Sequence, residues 1–228
     1  MLTTWTPAHM PEKEEIKTRL QTARSQLYDF QMKIKEHKIP VIVLFEGWGS
    51  SGKGSTIGKV IKNIDPRFFK VATMSAPTAE ELRYPFLYRY FKQIPEAGKF
   101  TFLDSGWMEQ TCKDCLSGEI EGEGYTQRID SIRRFERQLT DNGYLVLKFF
   151  MQIDRDEQKR REKLLLDHKD TRWRVCKQEK ENNKNYAECL KKQDSILVHT
   201  DTAESPWVIV ESTDKLYASC KICLLYTS

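Results

Sequence analysis

Apolar residues Ile16, Leu20, Leu27 and Ile34 recur at helical spacing among charged neighbours, which predicts an amphipathic helix over 11–38. Lys38-Ile39-Pro40 ends it, and the pattern changes to short, continuous apolar runs. These runs predict strands at Val41–Phe45, Phe69–Met74, Phe100–Asp104, Tyr144–Ile153 and Pro206–Val210. Between them, helical patterns are expected over Gly52–Ile64, Phe86–Phe91, Ile129–Thr140, Asp154–Lys177 and Asn183–His199. Thr78 followed by Glu81 has the spacing of a capping box. Strands that are apolar throughout and alternate with helices imply a parallel sheet covered on both faces, a three-layer α/β/α architecture. A single domain is expected over 1–222, with a core of 39–153 and 205–218 and a helical segment at 154–180.

Composition narrows the class. At 228 residues, with 37 Lys and Arg against 33 Asp and Glu, the chain has mixed charge and little excess of either sign. That argues against a nucleic-acid binder or a membrane-surface protein. No apolar run approaches the roughly 20 residues that cross a bilayer. Six irregularly spaced cysteines and a start without a basic-then-apolar pattern point to reduced thiols in the cytoplasm. Cys112-x-x-Cys115 has no second pair, so a helix position is expected for it rather than a metal or redox centre. The last six residues, Cys223–Ser228, equal the translation of a transposon adaptor used in sequencing libraries. They are expected to be read-through, with the natural protein continuing beyond this frame.

The first strand runs into Gly47-Trp-Gly-Ser-Ser-Gly52-Lys53-Gly54-Ser55, and a helix follows. Glycines let a backbone wrap an anion with its N–H groups, a helix start adds partial positive charge, and Lys53 adds a full one. Gly47-x4-Gly52-Lys53 fits the Walker A spacing, but Gly54 stands where a hydroxyl normally reaches Mg²⁺. Gly47, Gly52, Lys53, Gly54 and Ser55 are therefore the candidate phosphate ligands. The alternative is an ordinary glycine-rich turn after a strand.

In an open parallel sheet, ligands sit at the carboxyl ends of strands, where Asp104 closes the third. Two roles fit Asp104: a Walker B-like Mg²⁺ ligand or a helix N-cap. The basic stretch from Arg155 through Arg161 to Arg174 fits either a lid closing over a polyanion or a solvated helix face. Arg133, Arg134 and Arg137 share one helix, and Arg133 joins the candidate anion ligands.

Several further segments resemble the polyphosphate kinase 2 family from about Pro11 to Ala218. They are Phe45-Glu-Gly-Trp…Gly52-Lys53-Gly54, Ala76-Pro77-Thr…Glu80-Glu81-Leu82…Pro85-Phe86-Leu87-Tyr88-Arg89, Phe135-Glu136-Arg137, Lys148-Phe149-Phe150, Trp173-Arg174 and Pro206-Trp207. The Gly-Lys-Gly ending of the loop is that family's form. Trp107-Met108 and Arg172-Trp-Arg-Val are similar to the first half of tandem-domain polyphosphate:AMP phosphotransferases. The resemblance implies a P-loop kinase fold with a helical lid and a catalytic set of Lys53, Asp104 and Arg161. It implies Mg²⁺ on Asp104, with Glu136 behind the site. The implied reaction moves a phosphoryl group between inorganic polyphosphate and a nucleotide, AMP to ADP, with a second domain missing from this frame.

Two departures stand out. The family usually has an aspartate where this chain has Gly49, and an arginine where it has Ser105. Three readings follow: an active polyphosphate-dependent phosphotransferase, a non-catalytic polyphosphate-binding half, or an ATP-dependent nucleoside monophosphate kinase. The number of subunits is left open.

Overall fold

The computed structural model describes residues 1–6, 10–175 and 185–226. Five strands form one all-parallel sheet: β1 (Val41–Gly47), β2 (Phe69–Thr73), β3 (Phe100–Asp104), β4 (Leu145–Gln152) and β5 (Trp207–Glu211). Their order is β2-β3-β1-β4-β5, so the strand that carries the glycine-rich loop is central. Phe45 pairs with both Asp104 of β3 and Phe149 of β4, which brings these strand ends to one edge of the sheet.

Side chains alternate across a strand, and the central strand β1 is buried on both faces. Val41, Val43 and Phe45 pack with Phe102, Phe149 and Met151 on one face. That face is covered by α1 (Lys13–Glu36), α2 (Lys53–Val60) and α8 (Lys215–Tyr226). Ile42, Leu44 and Phe150 point the other way, under α4 (Trp107–Leu116), α5 (Gly122–Asp141) and α7 (Tyr186–Thr200). The predicted three-layer α/β/α sandwich with five parallel strands is present.

All four apolar positions predicted for the first helix are buried, and Ala23 and Gln31 join their stripe. The capping box forms, with the Thr78 N–H donating to Glu81 at 3.0 Å and the Glu81 N–H to Thr78 Oγ1 at 3.2 Å. It opens only a 3₁₀ turn, Glu81–Arg83, and the aromatic helix shrinks to α3 (Tyr88–Phe91). Pro85 lies between the two and lacks the N–H that a continuous helix needs. The segment expected as a lid is α6 (Arg155–Asp167) plus a 3₁₀ turn, Arg172–Arg174; its expected remainder, 176–180, lies outside the described residues. Helix α8 carries on through Cys223 and Leu224, which pack into the first core face. Among the described residues, no helix is long and apolar enough to cross a membrane.

The Cys112 and Cys115 side chains lie on α4, buried and unbonded to each other. Burial pushes both thiols up, so neither is a ready thiolate.

Beneath α4 lies a buried ion pair. Glu136 of α5 accepts from Lys148 Nζ of β4 at 2.6 Å, from Trp107 Nε1 at 2.9 Å and from Ser205 Oγ at 3.0 Å. Lys148 also donates to the Thr200 carbonyl at 2.7 Å. Burial shifts both groups toward neutrality, and their mutual attraction opposes it.

Candidate phosphate-binding site

Strand β1 ends at Gly47, where φ is +131° and a Cβ would lie 2.4 Å from the Met151 carbonyl oxygen of β4. Only glycine lets the chain leave the sheet so close to its neighbour. The loop then passes Ser50, also left-handed at φ +61°, and reaches Gly52 at φ +95°, the N-cap of α2. The first N–H groups of α2, on Lys53, Gly54 and Ser55, thus face the carboxyl edge of the sheet without intrahelical acceptors. That makes an anion cradle.

The Lys53 ammonium folds back over this loop. It donates to the Gly47 carbonyl at 3.1 Å and the Trp48 carbonyl at 3.4 Å, and lies 3.7 Å from Glu109 Oε2. Asp104 sits directly opposite. A Cβ at position 54 would come within 3.1 Å of Asp104 Oδ2, so the space a hydroxyl takes in an ordinary Walker A loop is filled by this carboxylate. Asp104 does not cap the next helix: the N-cap of α4 is Gly106. Burial raises its carboxyl, Lys53 pulls it down and Glu109 pushes it further up.

Two acids that sequence reasoning missed complete this corner. Glu46 on β1 takes over the capping of α4, accepting from the Met108 N–H at 3.1 Å and the Glu109 N–H at 3.3 Å. A Cβ at Gly106 would come within 2.4 Å of Leu44 Cδ1, so the leucine tip would have to shift to admit one. Glu109, in the first turn of α4, accepts from Lys113 at 2.6 Å and from the Ser105 side chain. One oxygen of Glu46 and one of Glu109 are buried without a hydrogen-bond partner. The visible signal was Glu46 itself, a charge inside an otherwise apolar strand.

Glu46 and Glu109 split in opposite directions. Burial, reinforced by Glu109, pushes Glu46 up to about 8. Burial also raises Glu109, but Lys53 and Lys113 outweigh it and hold that carboxyl at about 2. A folded-state pKa raised above the ordinary 4.5 means that the folded protein keeps a proton the unfolded chain releases. The resulting stability is present in full below pH 4.5 and is lost as pH rises through about 8. Relative to Glu46→Gln, the wild type is therefore expected to lose stability between pH 5 and pH 8, read from urea midpoints at each pH. Parallel midpoints across that range would contradict this protonation.

Arg161 is brought to the loop, where protein groups engage its guanidinium. Its Nη1 donates to the Ser50 and Ser51 carbonyls at 3.2 and 2.8 Å, and its Nη2 to Ser212 and Thr213 carbonyls at 2.6 and 2.9 Å. Its Nε bonds Glu157. All five N–H donors are thus used, so Arg161 ties the loop to the exit of β5 instead of offering a free fork to an anion. Lys215, absent from the sequence-based set, reaches the loop: its Cε lies 3.7 Å from the Cβ position of Gly52.

Arg133 is also placed elsewhere. With Arg134, Arg137, Asp141 and Asp201 it lines a cleft of about 630 Å³ beside 201–205, the segment entering β5. That is the amino end of the sheet, and the five residues of β5 alone separate the two ends by roughly 15 Å. Helix faces were legible in the sequence; which sheet edge each face served was not.

The oxygen donors around Lys53 are of the hard kind that suits Mg²⁺ rather than a thiophilic metal. Among the described residues, no group of three His, Cys, Asp or Glu is arranged to hold a metal ion. A cation here fits one carboxylate supplemented by substrate phosphates and water, the usual manner for Mg²⁺.

Loop, lysine and acid on adjoining strand ends agree with the comparison that decides the family: the polyphosphate kinase 2 model matches residues 10–227. The chain belongs to the polyphosphate kinase 2 family. A polyphosphate:AMP phosphotransferase of Acinetobacter johnsonii is 28% identical over 219 residues, covering 95% of this chain and 45% of the relative. One from Pseudomonas syringae is 30% identical over 194 residues, 83% of this chain and 38% of the relative. A candidate polyphosphate kinase 2 of Pseudomonas aeruginosa, solved as a crystal structure, superposes with a TM-score of 0.92 at 25% identity. It covers 99% of this chain and 48% of that one. The chain thus spans less than half the length of these polyphosphate kinase 2 relatives.

Proposed function

We propose that this chain is one domain of a longer cytoplasmic phosphotransferase that moves a terminal phosphoryl group between inorganic polyphosphate and AMP. The convergence of Lys53, the α2 amides and Asp104 on one edge of the sheet carries this reading. The names of its relatives, which join polyphosphate to AMP, supply the substrate class.

In this reading the α2 amides and Lys53 grip the terminal phosphates, with Lys215 beside them. A phosphate oxygen of AMP attacks the terminal phosphorus; a new P–O bond forms as the phosphoanhydride bond breaks, and the shortened polyphosphate leaves with the electron pair. The chain's part is positioning and charge stabilisation, since negative charge spreads over the transferring oxygens. Asp104 would hold Mg²⁺, which supplies further charge neutralisation when bound. Arg161 positions the loop and does not touch substrate.

The test is ADP formation from AMP, with polyphosphate or ATP as the only donor. ADP from polyphosphate supports the proposal, and ADP from ATP alone would replace it with an ordinary monophosphate kinase. Tight polyphosphate binding without ADP would favour a binding half, the reading that Gly49 and Ser105 support.

A further inference from the structure

Lys53 has an internal partner that phosphate must compete with. We propose that Glu109 is a built-in counter-ion of the loop lysine, displaced by an incoming polyanion, so that this chain binds polyphosphate more weakly than its loop alone would. The inference rests on the phosphate-loop reading above.

Four observations carry it. Glu109 Oε2 lies 3.7 Å from Lys53 Nζ, beyond hydrogen-bond contact but close enough for an ion pair. That same oxygen is buried and has no hydrogen-bond partner, so the Lys53 charge is part of its compensation. The ammonium itself is turned back toward the Gly47 and Trp48 carbonyls. Finally, position 105 carries a serine whose side chain bonds to Glu109, in a left-handed conformation at φ +67°. With serine there, no second cation on that turn draws Glu109 away from Lys53.

The exchange has a ready path. The other oxygen of Glu109 already accepts from Lys113 at 2.6 Å, four residues on along α4. When phosphate takes Lys53, Glu109 keeps this ion pair through Oε1, and the compensation lost at Oε2 is the cost of the exchange. The pairing therefore costs affinity without blocking the site.

Tripolyphosphate binding, measured by calorimetry at fixed salt, tests this in a double-mutant cycle. Glu109→Gln keeps the bond from Ser105 and is expected to tighten binding roughly tenfold, the scale of one partly screened charge pair. The gain should vanish in the Lys53→Ala background. Glu96→Gln removes a surface carboxylate paired with Lys99 and should leave binding unchanged. Unaltered or weaker binding by Glu109→Gln, or an equal gain without Lys53, would overturn the counter-ion role. If Glu109→Gln fails to fold, Glu109→Asp draws the carboxylate back and should give an intermediate gain; no gain there overturns the proposal. Lys53→Ala alone reports on the loop: if it fails to weaken binding, the phosphate-loop reading fails, whatever Glu109 does.

Discussion

Lys53→Ala lowers polyphosphate-dependent phosphoryl transfer by on the order of 10³-fold, the scale of losing one preorganised donor to transition-state charge. The ammonium is the only full positive charge within hydrogen-bond reach of the Gly47 and Trp48 carbonyls among the described residues. Neither Arg161, whose donors are all engaged, nor Arg133, at the other end of the sheet, can take its place. The fold should survive. Lys53 gives up two bonds to backbone carbonyls and one long ion pair, a loss of about 1 kcal/mol. A coupled ADP assay beside a thermal melt checks both halves. Transfer within tenfold of wild type would remove the lysine from the chemistry.

The largest effect on stability is expected from Glu136→Ala, at about 3–5 kcal/mol. The substitution strands the Lys148 ammonium in the core and leaves Trp107 Nε1 and Ser205 Oγ without their acceptor. Breaking a buried pair from one side costs far more than replacing both partners, because the remaining charge is uncompensated. Glu136→Leu combined with Lys148→Met should therefore recover most of the loss. Urea denaturation of the two variants measures it; a loss below about 1 kcal/mol for Glu136→Ala would show that the pair is not stabilised as described. Trp107 opens the helix that carries Glu109, so the same network steadies one side of the loop's electrostatic environment.

The sheet was legible because its central strands β1 and β3 are buried apolar runs, and Phe100–Asp104 was placed to the residue. The loop was legible because glycine spacing is a local property: Gly47 and Gly52 adopt the conformations their positions implied. Other features depend on distant segments meeting. Arg161 reads as a free cation until Ser50, Ser51, Ser212 and Thr213 are brought around it. Glu46 reads as an oddity in a strand until α4 docks its N-terminus on it. Gly54 departs from the Walker A pattern for a reason visible only when Asp104 stands against it. The electrostatics of Glu109 follow from helix α4, where sequence supplied only the expectation that Cys112 and Cys115 were helical.

The central claim is that main-chain amides at the start of α2 and the Lys53 ammonium grip the end of a polyphosphate. Amide chemical shifts recorded while tripolyphosphate is added to the ¹⁵N-labelled chain address it most directly. Saturable shifts concentrated at Gly52, Lys53, Gly54 and Ser55 are the predicted result. Shifts confined to Arg133, Arg134, Arg137 and the 201–205 segment would contradict it and move the polyanion to the opposite end of the sheet.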